Sequence, residues 1–237
     1  MNDIIENILV RFCAPIGWLP SLDAPAYQLK CKTGTCVLID TGEVRVFVTC
    51  EHVWTQWKIY KSNHPAAELL VDLGKGTPFI LSNAKLLDSD KKCDLAVLKA
   101  EIDPQQLGSK EFFRIEEWPI PLPNVGDFLM IIGFPGRGRI ALENGITIWK
   151  PTRLGYPVSS VRPNNITLAP EKNDRKSYED GNEIDHFDIG GMSGSPAFLV
   201  RKIGKPLLAG FLYEGKTSAD FIFLMPAHHL QPNGTLH

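Results

Sequence analysis

Gly190-Gly191-Met192-Ser193-Gly194-Ser195-Pro196-Ala197 is the stretch of this sequence that decides the fold and the chemistry. Glycines lie close to Ser193 on both sides, so its hydroxyl is uncrowded and the neighbouring backbone N–H groups can turn toward one point. Acyl transfer uses that combination, because an exposed oxygen nucleophile then stands beside hydrogen-bond donors for the developing oxyanion. A glycine-rich turn without chemistry fits the same eight residues, so the rest of the chain has to separate the two interpretations.

A histidine follows an apolar strand early in the chain. Residues 44–50 alternate valine or cysteine with other side chains, which predicts a half-buried strand ending just before His52. Such a framework is rigid enough to aim an imidazole. A single histidine near a strand end is more often structural than catalytic, so its interpretation depends on the other residues.

Asp94 stands at the beginning of a short apolar strand, residues 95–98. A carboxylate at that point is unfavourable unless it is hydrogen-bonded or paired. A partner imidazole N–H would supply the bond, fix the histidine tautomer and stabilise the imidazolium formed during reaction. A simple strand cap is the alternative for Asp94. The order His52, Asp94, Ser193, with long gaps between, predicts one cleft built from separate parts of the fold.

These three segments resemble the motifs of trypsin-like (chymotrypsin-fold) serine proteases. Residues 49–52 (Thr-Cys-Glu-His) resemble the family's Thr-Ala-x-His motif, and residues 94–98 resemble its Asp-Ile-Ala-Leu-Leu motif. Residues 191–196 resemble its Gly-Asp-Ser-Gly-Gly-Pro motif. Two weaker similarities are residues 34–39, like the strand ahead of the family's histidine, and residues 132–135 (Ile-Gly-Phe-Pro), like a segment of bacterial members.

The resemblance implies an all-β fold of two six-stranded antiparallel β-barrels, with a short C-terminal helix. It implies that Ser193 is the nucleophile, His52 the general base and then acid, and Asp94 the orienting carboxylate. The backbone N–H groups of Gly191 and Ser193 would form the oxyanion hole, and an extended polypeptide would be the substrate. Ser195 is a rival nucleophile, but it occupies the position where the family usually has a second glycine.

Met192 departs from the family pattern, in which digestive and clotting enzymes carry an aspartate before the nucleophile. That aspartate pairs with a new amino terminus released by zymogen cleavage, and methionine cannot hold a buried ammonium group. We therefore expect a bacterial-type member that folds directly into its working form or is switched by another contact.

The specificity pocket is predicted less sharply. By resemblance its base corresponds to Phe187, next to Asp188, and Gly215 resembles the glycine on the pocket wall. Phe187 argues against simple selection of Arg or Lys. Asp188 or Asp220 would still supply an acidic base if the loop is shifted, so the preference stays open. Tyr213 falls where the family has a serine that hydrogen-bonds the triad aspartate.

The bulk composition describes an ordinary globular protein of 237 residues, with 43% hydrophobic and 22% charged residues. A net charge of −2 gives no reason to expect nucleic acid or an anionic membrane as partner. No stretch approaches the roughly 18 consecutive apolar residues of a membrane span.

The cysteines and the amino terminus indicate the compartment. The chain has five cysteines, an odd number, and its first residues lack the basic region and apolar block of a secretion signal. Reduced, largely buried thiols in a cytoplasmic protein are therefore expected. Cys31 and Cys36 are too far apart to resemble a tight zinc pair and have no histidine nearby, so no metal is expected, and no other cofactor is predicted; a disulfide between these two or another pair stays open.

Many short strand-like runs with turns between them favour a barrel or sandwich over a parallel α/β sheet. Alternating prolines predict a linker at residues 118–126, between an N-terminal barrel at residues 1–117 and a C-terminal barrel at residues 127–237. The histidine and the aspartate fall in the first half and the serine in the second. The site is therefore predicted in the cleft between the halves.

Little helix is expected beyond a turn or two within residues 103–113 and a short helix starting at residue 227. The charged segment 171–186 is either a solvated surface loop or a mobile loop over the specificity pocket.

The sequence thus favours a serine endopeptidase that works through an acyl-enzyme. Two alternatives stay open: a non-catalytic module that binds a peptide or partner on the same fold, and an esterase-like hydrolase with the same triad. The substrate, the oligomeric state and gating by a regulatory protein partner or by segment 171–186 also stay open.

Overall fold

The computed structural model describes residues 7–19, 33–141, 147–169, 177–179, 182–184, 189–201, 204–216 and 221–237. Within these residues the protein is mostly β-structure, which confirms the all-β prediction. None of the helices in this part of the chain is long and apolar enough to cross a membrane.

The first half of the chain forms an eight-stranded sheet. Its strands are β1 (Cys13–Leu19), β2 (Thr33–Asp40), β3 (Arg45–Thr49), β4 (Glu68–Val71), β5 (Phe79–Ile80), β6 (Lys85–Asp90), β7 (Leu95–Lys99) and β8 (Phe113–Arg114). Seven of them pair antiparallel in the order β5-β4-β1-β2-β3-β7-β6, and β8 pairs in parallel with β2.

This first sheet curls into a half-barrel, where the sequence predicted a closed six-stranded barrel. Its two end strands, β5 and β6, are joined by a tight turn in which the Ala84 N–H donates to the Leu81 carbonyl at 2.9 Å, but they do not pair. Strand β5 is only two residues long, and after its two pairs with β4 the chain turns at residues 81–84 before β6 begins.

The second half contains a closed six-stranded antiparallel barrel, as predicted. Its strands are β9 (Phe128–Gly133), β12 (Thr152–Arg162), β13 (Asn165–Leu168), β16 (Pro196–Leu199), β17 (Leu207–Lys216) and β18 (Phe221–Pro226), and they pair in the order β12-β13-β18-β17-β16-β9. Two short hairpins lie outside the barrel, β10 (Arg139–Ala141) with β11 (Thr147–Trp149) and β14 (Ser177–Glu179) with β15 (Asn182–Ile184).

A 13-residue helix, α1 (Glu51–Asn63), begins directly after β3 and was not predicted. Its β-branched and aromatic residues favour strands by propensity. The buried face of Val53, Trp54 and Trp57 nevertheless has the i, i+1, i+4 spacing of a helix, and that spacing was the available signal. Two single 3₁₀ turns, Pro104–Leu107 and Ala227–His229, match the little other helix that was expected.

The sheet and the barrel meet through strands that are buried on both faces. Along β2, Val37 contributes to the apolar layer between the two halves, while its neighbour Leu38 contributes to the core of the first sheet. Phe47 and Val48 of β3 divide in the same way, so this strand is buried on both faces and the prediction of a half-buried strand was wrong. Period-two alternation here separates two cores, and does not separate core from solvent.

The proline-rich segment 118–126 packs on that same layer. The Trp118 indole N–H donates to the Thr41 carbonyl at 3.2 Å, and Ile120 is buried. The boundaries proposed for the two halves stay a prediction, since the apolar layer continues through this segment.

Four cysteines, Cys13, Cys36, Cys50 and Cys93, are free and buried, and Cys31 lies outside the described residues. Burial raises the pKa of the Cys13 thiol to about 12, although the charge of Lys110 partly opposes the shift. The folded protein therefore keeps this thiol protonated well above the pH at which an exposed thiol ionises.

We predict an alkaline loss of stability that depends on Cys13. In the unfolded chain the thiol ionises near about pH 8.5, so its stabilising contribution is complete below that pH and is lost as the pH rises toward the folded pKa. Between about pH 9.5 and 11 the free energy of unfolding should fall by about 1.4 kcal/mol per pH unit for this thiol. Cys13→Ala should make the measured slope shallower by that amount in urea unfolding at several pH values.

The matched control is Val48→Ala, which removes a buried side chain that does not titrate from the same apolar layer. It should lower the free energy of unfolding equally at every pH. An unchanged slope in Cys13→Ala would contradict the prediction.

Candidate active site

His52 lies in the first turn of α1 and contacts Asp94 twice. The ring Nδ1 is 2.7 Å from Asp94 Oδ2, and the backbone N–H of His52 donates to Asp94 Oδ1 at 2.9 Å. One carboxylate thus holds both the backbone and the ring of the histidine. Because a carboxylate accepts hydrogen bonds, the neutral ring carries its hydrogen on Nδ1 and its lone pair on Nε2.

Asp94 adopts a left-handed backbone conformation, with φ of 48°. Aspartate is one of the few residues that adopt this conformation without a large penalty, and surrounding bonds have to hold it there. Besides the two bonds to His52, the Asp94 carbonyl accepts from the Glu51 N–H at 3.1 Å. The start of α1 and the turn before β7 therefore fix each other.

Two further side chains lie near the Asp94 carboxylate. The Cys50 thiol donates to the Leu212 carbonyl at 3.3 Å, and burial followed by the Asp94 charge raises its pKa well above the usual value. Tyr213 is the extra residue at a bulge in β17, and its pKa is raised first by burial, then by the charges of Glu214 and Asp94. No hydrogen bond joins the described Tyr213 and Asp94, so the phenol does not replace the family's serine.

Cys50, His52 and Asp94 are also close enough together to share one metal ion, with their ligand atoms within 4.8 Å of one another. Metal binding requires a thiolate, whereas this thiol is buried and donates to a carbonyl. The histidine and the aspartate are bonded to each other. The contacts therefore fit a hydrogen-bonded cluster better than a metal centre.

The turn before Ser193 has one peptide group fixed by a distant segment. The Gly136 N–H, in the 3₁₀ turn Gly136–Gly138, donates to the Gly190 carbonyl at 2.7 Å. The C=O and N–H of a trans peptide point in opposite directions, so the Gly191 N–H of the same peptide is turned away from Gly136. Gly191 has φ of 94°, and a Cβ there would lie 2.7 Å from the Gly136 nitrogen.

The direction of the Ser193 N–H is fixed in a similar way. The Ser195 N–H donates to the Met192 carbonyl at 2.9 Å, which turns the Ser193 N–H in the opposite direction. Within the described part of the chain, the N–H groups of Gly191 and Ser193 have no hydrogen-bond partner. These are the two groups that the sequence assigned to the oxyanion hole, and that assignment stays a prediction.

The residues after the turn are anchored to both halves of the molecule. The Ser193 carbonyl accepts from the Thr35 N–H of β2 at 2.8 Å, and the Gly194 N–H donates to the Leu212 carbonyl of β17 at 2.7 Å. Gly194 has φ of 88°, and a Cβ there would lie 2.2 Å from the Thr35 carbonyl oxygen. Only glycine allows the chain to pass this close to β2.

His52 and Ser193 face the same cleft, which has a volume of about 320 Å³. Its lining comprises Trp18, Thr33, His52, Val53, Gln56, Gly136, Gly190, Gly191 and Ser193. The structure has no hydrogen bond between the imidazole of His52 and the hydroxyl of Ser193. The histidine of a bonded histidine–aspartate pair therefore shares one cleft with Ser193, but its ring does not contact the serine hydroxyl.

Ser195, the rival nucleophile, is fully buried. Among the described residues its Oγ has no hydrogen-bond partner, and it occupies the space where Gly133 lacks a side chain, 1.9 Å from the position that a Cβ would take. A substrate cannot reach this hydroxyl, so the geometry favours Ser193 over Ser195.

Of the predicted specificity residues, the structure describes Tyr213 and Gly215. Both lie on β17, with Gly215 paired to Ile222, and Tyr213 is not among the described residues that line the cleft. Phe187 and Asp188 lie outside the described residues, as does Asp220. Within segment 171–186, residues 177–179 and 182–184 form the β14–β15 hairpin; the rest also lies outside.

Sequence reasoning missed four residues that shape the site. Thr35 and Gly136 hold the turn, while Trp18 and Gln56 line the cleft. Thr35 and Gly136 lie in or next to segments that resembled the family's strands, so a signal existed for their position. Their role depends on hydrogen bonds, which residue type alone does not predict.

Comparison with known proteins places the fold. No family model matches the chain, and no curated protein matches it in sequence. Among solved structures 550 chains match. One is the thermostable serine protease AL20 from an extremophilic microorganism, with a TM-score of 0.52 and 13% identity over 91% of each chain. Identity this low speaks for the fold alone, and the chain has a chymotrypsin-like serine protease fold.

Met192, which replaces the zymogen aspartate of the family, is fully buried in the core of the closed barrel. We predict that Met192→Asp lowers the free energy of unfolding by more than about 4 kcal/mol, since a carboxylate there has no cationic partner in that apolar core. Met192→Leu should cost less than about 1.5 kcal/mol. Urea unfolding at pH 7 measures both.

Equal destabilisation by the two variants would contradict this prediction. It would indicate a buried cation close to residue 192, and would reopen activation by an inserted amino terminus.

Proposed function

We propose that the protein is a serine endopeptidase in which Ser193, His52 and Asp94 act together. One observation supports this most: His52, whose ring is hydrogen-bonded to Asp94, lines one cleft with Gly191 and Ser193, and the N–H groups of Gly191 and Ser193 have no partner among the described residues. A cleft built only for binding does not need all of these groups. The missing contact between His52 and Ser193 is compatible with the proposal, because catalytic hydrogen bonds are often long in free enzymes and shorten with substrate bound.

In the proposed acylation step, His52 Nε2 takes the proton of the Ser193 hydroxyl while its oxygen attacks the carbonyl carbon of a peptide bond. The carbonyl oxygen becomes an oxyanion that accepts from the N–H groups of Gly191 and Ser193. Asp94 stabilises the imidazolium through Nδ1. His52 then gives the proton to the departing amine nitrogen, the C–N bond breaks, and an ester of Ser193 remains.

Deacylation repeats these roles with water. His52 removes a proton from the water molecule, whose oxygen attacks the ester carbon, and then returns the proton to the Ser193 oxygen as the ester bond breaks. The carboxyl product leaves and the free enzyme is restored. The proposed substrate is a polypeptide, and no metal or other cofactor takes part. A cytoplasmic location is also proposed, and the four free thiols support it.

We predict that a fluorophosphonate probe labels the wild-type protein at Ser193, because the probe reacts only with a serine activated by a base. Ser193→Ala should abolish labelling, and His52→Ala should slow it by about 100- to 10,000-fold. Mass spectrometry of the labelled peptide identifies the site, and the time course gives the rate constant.

The matched control is Ser195→Ala, which removes the neighbouring buried hydroxyl and should leave the labelling rate within about threefold of wild type. Folded wild-type protein that resists labelling would refute the enzyme proposal. The unmade contact between His52 and Ser193 favours the binding module as the second candidate in that case.

Peptide cleavage separates an endopeptidase from an esterase-like hydrolase, because both would react with the probe. We expect the wild-type protein to cut internal bonds in a peptide library, and Ser193→Ala to cut none. Mass spectrometry of the products measures this. Hydrolysis of small esters together with an uncut library would contradict the endopeptidase proposal and favour the esterase.

A further inference from the structure

The hydroxyl of Thr35 lies between the two segments that determine the direction of the Gly191 N–H. Thr35 is fully buried on β2. Its Oγ1 donates to the Gly191 carbonyl at 3.3 Å and accepts from the Phe134 N–H at 3.0 Å. A threonine hydroxyl has one hydrogen and two lone pairs, so the bond to Gly191 uses the hydrogen and the bond from Phe134 uses a lone pair.

The backbone conformation at Gly191 depends on these contacts, because glycine has no side chain to restrict the two peptide groups that it joins. The peptide before it is held by the Gly136 N–H, and the peptide after it is held by the Thr35 hydroxyl. Phe134 and Gly136 belong to the same segment that follows β9. The hydroxyl therefore acts on both peptides. It bonds the Gly191 carbonyl directly, and through Phe134 it holds the segment whose Gly136 N–H bonds the Gly190 carbonyl.

We propose that the Thr35 hydroxyl is a positioning group for the oxyanion site: it keeps the Gly191 N–H directed into the cleft. This inference rests on the proposed function of that site. Thr35 does not line the cleft and acts through Gly191, so it is not a catalytic residue. Its hydroxyl is distinct from its backbone N–H, which donates to the Ser193 carbonyl and is retained in every variant.

Three variants separate the hydroxyl from the bulk of the side chain. Thr35→Val keeps the size and removes both hydroxyl bonds, whereas Thr35→Ser keeps the hydroxyl and removes the methyl group. Thr41→Val is the matched control, because Thr41 is also buried and also hydrogen-bonds through its hydroxyl to backbone, but at the turn between β2 and β3. All four proteins are compared for fluorophosphonate labelling, for peptide cleavage and for inhibition by a peptide aldehyde, which forms a tetrahedral adduct with an oxyanion.

We expect Thr35→Val to lower the labelling rate, kcat and the aldehyde affinity together by about 30-fold or more, since loss of one oxyanion donor typically costs about 100- to 1,000-fold. KM should stay within about threefold, because the bound peptide ground state does not use the oxyanion donors fully. The pH at which activity rises should not move, because His52 and Asp94 are untouched. Thr35→Ser and Thr41→Val should remain within about threefold of wild type in all three measurements.

Equal kinetics for Thr35→Val and Thr41→Val would overturn the inference while leaving the proposed enzyme intact. A rise in KM alone would overturn it too, because that result indicates a disturbed substrate cleft. If folded wild-type protein is neither labelled nor active, the proposed function fails first and the inference fails with it. Thermal unfolding checks each variant, and Thr35→Ala, which relieves any crowding, replaces Thr35→Val if the valine variant does not fold.

Discussion

The peptide groups around Ser193 have their directions fixed from outside the turn, and the candidate site depends on that constraint. The Gly190 carbonyl is held by the segment after β9, and the Ser193 carbonyl by β2. The Gly194 N–H is held by β17. Since a trans peptide fixes its N–H opposite its carbonyl, the bond to the Gly190 carbonyl turns the Gly191 N–H away from Gly136. The bond from the Ser195 N–H to the Met192 carbonyl does the same for the Ser193 N–H, and neither of these two N–H groups has a partner among the described residues. The arrangement needs the sheet and the barrel to be in register with each other.

That register follows from the way the chain is buried. Strands β2 and β9 send alternate side chains to opposite sides, so each strand contributes to its own core and to the apolar layer between the halves. A shift of one residue in β2 would exchange Val37 and Leu38 between the two cores. It would also remove the Thr35 N–H from the Ser193 carbonyl. Core packing and the geometry of the turn are therefore set by the same strand position.

The sequence predicted the parts of the site that depend on residue type and order. It predicted His52 and Ser193 in one cleft and paired the histidine with an aspartate, because a carboxylate at the start of an apolar strand needs a hydrogen-bond partner. It missed α1, since the strand propensity of its residues outweighed their helical spacing, and it missed the open edge of the first sheet. It also missed the contributions of Thr35 and Gly136. Backbone N–H groups and a single hydroxyl make those contacts, and almost any sequence offers such groups.

Ser193 and Ser195 show why residue type alone was insufficient. They are two positions apart in one turn, yet one hydroxyl faces the cleft and the other occupies the space left by Gly133. Met192 directly precedes Ser193 and is buried in the barrel core. A buried apolar side chain at this position fixes the orientation of the turn by packing, with no ionic partner required. The conformation of the turn is then a property of the folded barrel, which is the condition under which a hydroxyl and two N–H groups can be ready before any substrate binds.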